Sequence, residues 1–396
     1  MKNLSKPVAI TIYVISFLLL VGLAVGNYYA DKYSQIITTY LGHSNSEIVD
    51  SDDADTINSE YYKSDYQSSD EVHEYSAQVG QKIVEEGAVL LKNENDTLPL
   101  SAGDRISVLG QNSVDLIYGG GGSGSVDTSK APDLLTVLNS SGFNVNETLW
   151  EFYDTGAGSS YRKELPDLYG EGDYAVNEVP LSDYTDDVMS SLEDYNDAAV
   201  VVIGRAGNES SDLTTESLST GYHYLQLDDT EEEMLQFALD SFETVVVVLN
   251  TSNPMELGFL DEYDIDAALW IGALGQSGAY AIGEILNGSV NPSGRLVDTY
   301  AFDVKSAPAM ANFGDFNITN SEVSMGNKYM VYGEGIYIGY RYYETRYEDV
   351  VLGNENIDNF DYESQVQFPF GYGLSYSTFE WSDYSVTEGD DTFEVP

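Results

Sequence analysis

The sequence has no cysteine. Disulfides, thiolate metal sites and a cysteine nucleophile are therefore excluded. Histidine is scarce: the three residues His43, His73 and His223 lie far apart. No histidine-based zinc site is expected from them, and no metal or cofactor is expected at all. Positive charge is also scarce. The chain carries 16 Lys and Arg against 67 Asp and Glu, a formal net charge of −51. Such a chain cannot neutralise phosphates, which excludes nucleic acid as a partner. It is repelled by anionic membrane surfaces, whereas a neutral or cationic ligand meets no such barrier. Aromatics, by contrast, are plentiful, with 32 Tyr and 14 Phe. An acidic disordered chain has few of them, so most of this one is expected to fold. Its 396 residues, 42% hydrophobic, suffice for one large domain or two.

One uncharged apolar run, Val8 to Val25, follows Lys2 and Lys6. About 18 residues is the lower limit for crossing a bilayer and exceeds the apolar stretch of most cleaved signals. A signal-anchor over residues 1–28 is the preferred reading. The charge order places the tail in the cytoplasm and the body outside the cell membrane. A cleaved signal ending near Ala24-Val25-Gly26 is the alternative, and it also exports the body. Residues 29–69 become rich in Ser, Asp, Glu and Asn and read as a juxtamembrane spacer.

The body begins near Asp70. Val72 to Glu86 has helical spacing, and Ala88–Asn93 is a short buried strand. Four further apolar runs follow: Arg105–Gly110, Ala198–Gly204, Thr244–Asn250 and Ala267–Ile271. They do not alternate, so both faces of each strand should be buried, as in a parallel sheet covered by helices. Crossover helices are expected at Leu134–Ser140, Met189–Asn196, Thr230–Phe242 and Gly278–Leu286, with Thr230 and Glu233 forming a capping box. The fold class is α/β: a doubly wound, mostly parallel sheet sandwich spanning residues 70–302. Residues 303–376 form a Tyr/Gly-rich extension packing on it. Residues 377–396 read as the start of a fibronectin type III-like domain, with one strand over Thr378–Val386.

Ligands bind at the carboxyl ends of parallel strands, and three segments fall there. The first is Arg205-Ala206-Gly207-Asn208-Glu209-Ser210-Ser211-Asp212. Glu209 is a candidate proton donor, provided its pKa is tuned by its surroundings. Set against this, most acids in so acidic a chain are simply solvated. The second is Tyr118-Gly119-Gly120-Gly121-Gly122-Ser123-Gly124-Ser125. It lacks the Lys-Ser/Thr of a Walker loop and the pattern of a dinucleotide fingerprint, so a sugar-facing or interface loop is preferred. The third, Gly272–Gly278, reads as a tight strand-to-helix connection. Gly120, Gly121, Ser123, Arg205 and Asp212 are the candidate cleft residues around Glu209.

These segments resemble the C-terminal α/β sandwich domain of family-three glycoside hydrolases. The resemblance rests on Glu85–Asn93 with Leu98-Pro99-Leu100, Tyr118–Gly124, Leu274–Gly278, Asn291-Pro292-Ser293-Gly294-Arg295-Leu296, Tyr337–Tyr343 and Phe368–Tyr376. It implies retaining hydrolysis of a β-linked glucoside or oligosaccharide by two carboxylates. In many members the acid/base Glu lies in a glycine-glutamate-glycine motif on the sandwich domain with an Asp shortly after; here Gly207-Asn208-Glu209-Ser210-Ser211-Asp212 matches that motif in part and carries the role to Glu209. Ser210 stands where the motif has its second glycine. The nucleophilic Asp of the family lies on a (β/α)₈ barrel, which needs roughly 250 residues and has no counterpart here. The chain is thus expected to be the front half of a permuted or split member, inactive as an isolated fragment. The barrel would come from a separate chain. The alternative is a non-catalytic, membrane-tethered carbohydrate-binding or scaffold domain.

Overall fold

The computed structural model describes residues 6–34, 37, 41, 65–162, 174–209, 211–214, 216–218, 221–314, 316–318, 328–380, 382, 385, 387–388 and 393–394. The chain divides into two units, 1–67 and 68–396, each described by itself.

The first unit holds helix α1 (Lys6–Lys32). The helix is long and apolar enough to cross a membrane. Most of the anticipated spacer lies outside the described residues.

The second unit opens with α2 (Ser69–Gly87), capped by Ser68, whose hydroxyl accepts the Glu71 N–H. It runs into β1 (Val89–Asn93). There follow β2 (Arg105–Leu109), α3 (Leu134–Ser140), β3 (Asn144–Val145), α4 (Glu147–Asp154), α5 (Asp186–Leu192) and β4 (Ala198–Arg205). Next come α6 (Asp229–Ser241), β5 (Val245–Thr251), β6 (Ala267–Trp270) and α7 (Ala279–Leu286). Among the described residues these strands form a six-stranded sheet in the order β1-β6-β5-β4-β2-β3.

β2, β4, β5 and β6 run parallel, as the unbroken hydrophobic runs require. Alternate residues feed two cores. Ala199, Val201 and Ile203 of β4 pack with Leu149, Met234 and Leu235 from the α4 and α6 face. Ala198, Val200 and Val202 pack with Val137, Leu138 and Ile282 from the α3 and α7 face. Each fully buried Val or Leu side chain contributes about 1.5–3 kcal/mol, so neither face can be exposed cheaply. β1 is the exception in direction: it pairs antiparallel with β6, Val89 opposite Trp270. Its outer side is covered where Leu90 bridges Leu374.

Several boundaries differ from the sequence expectation. α5 starts three residues earlier than Met189, because Thr185 caps it and accepts the Val188 N–H. The capping box of α6 is Asp228 with Glu231, not Thr230 with Glu233. Asp228 accepts the N–H groups of Thr230 and Glu231, which leaves Thr230 within the first turn.

Beyond the sandwich, β7 (Tyr300–Ala301) pairs antiparallel with β8 (Val366–Phe368). Between them lies α8 (Tyr340–Leu352), which its aromatic, glycine-flanked sequence concealed. The Asp298 carboxylate accepts the Tyr340 N–H and so starts the helix from a distant part of the chain. Gly353, at φ 71°, ends it in the left-handed conformation. Of the strand expected at Thr378–Val386, the described residues Thr378–Glu380, Ser382 and Ser385 lie outside any strand. The rest of that range lies outside the described residues. Two-residue strands at Thr387–Glu388 and Phe393–Glu394 pair instead. A fibronectin-like strand needs a partner sheet to bury its alternate face, and the described residues offer none.

Candidate active site

The chain crosses from β2 to β3 on one side, then returns past β2 to β4 on the other. The sheet order therefore reverses between β2 and β4, where the carboxyl ends leave a crevice. The loops following these two strands carry the glycine-rich segment and Glu209.

The two loops lie directly on one another. The Gly121 N–H donates to the Gly207 carbonyl at 3.3 Å, and the Glu209 N–H donates to the Gly121 carbonyl at 3.5 Å. Gly121 and Asn208 form a parallel bridge. The Ser123 N–H donates to Glu209 Oε2 at 2.5 Å. Such closeness explains two of the glycines. A Cβ on Gly121 would stand 1.5 Å from Asn208 Oδ1. Gly122, at φ +68°, would place its Cβ 2.6 Å from the Cβ of Glu209.

Two buried tyrosines hold the acid loop. Tyr224 accepts the Ala206 N–H at 3.0 Å and donates to the Ala206 carbonyl at 3.3 Å. The Tyr174 hydroxyl donates to the Ser211 carbonyl at 2.9 Å. Glu209 thus sits between two anchored residues while its own side chain is exposed.

Sequence reasoning missed Asn250, at the end of β5. Its Oδ1 accepts the Ile117 N–H at 2.6 Å and an Asn112 Nδ2 hydrogen at 3.2 Å. Its own Nδ2 donates to the carbonyls of Ile117 and Gly272 at 3.2 and 2.6 Å. One buried amide therefore ties together the loops after β2, β5 and β6. The third segment, Gly272–Gly278, reaches the glycine loop at its base, where the Gly275 N–H donates to the Tyr118 carbonyl at 2.7 Å. The only sequence signal for Asn250 was an amide ending a run of valines.

Of the expected cleft residues, Gly121 and Ser123 touch the Glu209 loop as described. Gly120 lies beside Gly207, to whose carbonyl a Cβ would come within 3.0 Å. Asp212 is exposed farther along the loop. Arg205 is a correction. It ends β4 rather than opening the loop, and it is fully buried. Its guanidinium is bidentate to Glu231, Nη1 to Oε1 at 2.8 Å and Nη2 to Oε2 at 2.6 Å. It also donates to the carbonyls of Tyr224, Gly204 and Gln226. Arg205 faces the core and has no donor left to offer a cleft ligand. Among the described residues, no three His, Asp or Glu side chains converge on a possible metal position.

The hydrogen bond from the Ser123 backbone holds the Glu209 carboxyl below the usual glutamate range. The contact favours the ionised form. It therefore contributes fully at neutral pH and is lost as the pH falls through that lowered pKa. The Ser123 amide proton should accordingly move to higher field in NMR only below the ordinary glutamate range. Glu209→Gln should abolish that step. A step centred above the ordinary range would contradict the contact.

The sequence signature of the glycosyl hydrolase family 3 C-terminal domain matches residues 88–340. A beta-glucosidase of Ruminococcus albus is 33% identical over 302 residues, covering 75% of this chain and 28% of that protein. Beta-glucosidase A of Butyrivibrio fibrisolvens is 29% identical over 321 residues, covering 76% and 35% respectively. Among solved structures, a beta-glucosidase from Paenibacillus barengoltzii superposes with a TM-score of 0.62 at 30% identity, over 81% of this chain and 32% of that one. Beta-glucosidase 3B from Thermotoga neapolitana, in complex with glycerol, gives 0.62 at 29% identity, over 81% and 41%. The chain spans about a third of the length of these curated relatives. With the matched region covering the six-stranded sheet, most of both cores and all three strand-end loops, the chain belongs to glycosyl hydrolase family 3 and carries that family's C-terminal α/β sandwich domain.

Proposed function

We propose that this chain supplies the acid/base half of a retaining β-glucosidase-type active site, with Glu209 as the proton-transferring group. One observation carries the reading: Glu209 is exposed at the carboxyl end of β4 yet fixed against the glycine loop by Ser123. A solvated acid on a free loop has no such cradle. The nucleophile is an aspartate on a (β/α)₈ barrel outside these 396 residues, and the substrate is a β-linked glucoside.

In the first step, Glu209 gives its proton to the glycosidic oxygen as the aspartate attacks the anomeric carbon. The C–O bond breaks, the alcohol leaves and a glycosyl–aspartate ester forms. In the second step, the Glu209 carboxylate takes a proton from water, the water oxygen attacks the same carbon and the aspartate is released. Two inversions retain the configuration, which requires the carboxyl groups to stand about 5–5.5 Å apart. Helix α1 tethers the body to the outer face of the cell membrane, with Lys2 and Lys6 on the cytoplasmic side.

The test is complementation. The chain alone should hydrolyse an aryl β-glucoside negligibly, because half of a carboxylate pair gives no turnover. Adding a family barrel that carries the nucleophile should restore hydrolysis with retained configuration. A stably bound barrel that yields no hydrolysis would overturn the catalytic reading and leave a carbohydrate-binding or scaffold role.

A further inference from the structure

The acid loop returns to the body through a turn, His223 to Gln226, that carries Tyr224. Of the described histidines only His223 is buried, 3% exposed, and the mechanism above gives it no part. Its Nδ1 accepts the Leu225 N–H at 3.3 Å. That nitrogen is therefore unprotonated, and the ring is neutral with its hydrogen on Nε2.

The same residue closes the turn with its backbone. The His223 N–H donates to Gln226 Oε1 at 3.0 Å, and its carbonyl accepts the Gln226 N–H at 2.9 Å. Gln226 Nε2 donates in turn to Glu256 Oε2 at 2.7 Å, and the Glu256 N–H donates to the Leu225 carbonyl at 2.9 Å. From this turn the Tyr224 hydroxyl reaches across to both backbone groups of Ala206, three residues before Glu209. The ring of His223 and the position of Glu209 are thus joined through one tyrosine.

The charges around the ring come from several elements. Glu256 lies beyond β5, and Asp303 and Lys305 lie beyond β7. Arg205 holds the carbonyls of Tyr224 and Gln226, its charge matched by Glu231. Burial, the largest effect, and the Lys305 charge oppose a charged ring, while Glu256, the Thr214 backbone and Asp303 favour it. Burial prevails and holds His223 below the ordinary histidine range. Protonation would set an Nδ1 hydrogen against the Leu225 N–H, two donors face to face, and bury a new charge. The neutral contact therefore contributes fully above the ordinary histidine range and is lost as the pH falls through the lowered pKa.

We propose that His223 is a positioning residue and a pH-sensitive clasp: its neutral ring closes the turn that carries Tyr224, and its protonation frees Tyr224 from Ala206 and loosens the Glu209 loop. The consequence for catalysis rests on the acid/base reading of Glu209; the clasp itself does not.

Hydrogen exchange of the full chain in detergent micelles tests the clasp without any turnover. Protection of the Ala206 amide, normalised to the intrinsic exchange rate, should fall at least about threefold between pH of about 7.5 and about 5. His223→Asn should remove that step, since its amide oxygen can accept the Leu225 N–H and does not titrate. His223→Leu, with no acceptor, should be loosened at every pH; if it fails to fold, the Asn variant still decides. Ala206 protection unchanged with pH in the parent chain, or a step that persists in His223→Asn, would overturn the proposal. In the barrel-complemented enzyme, kcat should fall over the same pH interval on good and poor leaving groups alike, and His223→Asn should extend activity to lower pH. A complemented enzyme without activity, with the Ala206 step intact, would count against the role of Glu209 and leave the clasp supported.

Discussion

In the barrel-complemented enzyme, Glu209→Gln should lower kcat by about 10²–10⁴-fold on a β-glucoside with a poor leaving group. Gln keeps the size of the side chain, and its amide oxygen can still accept the Ser123 N–H that now reaches Glu209 Oε2. The loop should therefore stay where Tyr174 and Tyr224 hold it. What is lost is the transferable proton, so the penalty should shrink on substrates whose leaving group departs without acid assistance. That dependence on the leaving group separates proton transfer from misplacement of the loop, which would slow all substrates alike. The lowered pKa of Glu209 sharpens the point. In this chain the residue is poised as a carboxylate, and an acid catalyst needs the opposite shift. A second carboxylate and the exclusion of water, both supplied by the barrel, would raise it. The pH profile of the assembled enzyme should thus show an acid limb well above the pH at which the Ser123 contact titrates in the isolated chain. Full activity of Glu209→Gln on a poor leaving group would sink the assignment. Asp212 and Glu216, both exposed on the same loop, would be examined next.

The sheet was legible because its signal is local. Five or more apolar residues in a row, as in Val245–Leu249, admit few arrangements other than a strand covered on both faces. The direction of β1 was not legible: nothing within Val89–Asn93 encodes its antiparallel pairing with β6. The start of α6 was misplaced because Asp228 and Thr230 are both acceptable caps, and only the backbone shows which one precedes the first turn. Glu209 could be named from its place after a strand. Its partner Ser123 could be named only as one member of a glycine-rich segment, since the bond joins loops 86 positions apart. Arg205 misled for a simpler reason. An arginine between a strand and a loop looks solvent-facing, but the twofold alternation of β4 points it the other way. Ala199, Val201 and Ile203 all face the α4–α6 core, and position 205 continues that parity.

That parity sets the second large effect. Arg205→Met should destabilise the folded body by about 3–5 kcal/mol, the cost of breaking a buried ion pair. The Met fills much of the space but leaves Glu231, itself 3% exposed, as a buried carboxylate without its partner. The Asp228 N–H that also reaches Glu231, at 3.3 Å, is too little to replace a bidentate guanidinium. Arg205→Lys should recover only part of the loss, since an ammonium cannot reproduce the planar fork. The double variant Arg205→Met with Glu231→Leu should recover most of it, because no charge is then left buried. Urea denaturation of the four proteins measures all three comparisons. Equal stability of wild type and Arg205→Met would refute the argument. The consequence for function lies in the carbonyls of Tyr224 and Gln226, which Arg205 also holds. The chain leaves β4 at Arg205, passes through Glu209 and returns at Tyr224, so the arginine closes the base of the acid loop. Its loss should therefore loosen the loop and lower activity on good and poor leaving groups alike, the pattern expected of a residue that positions the catalyst rather than one that touches the sugar.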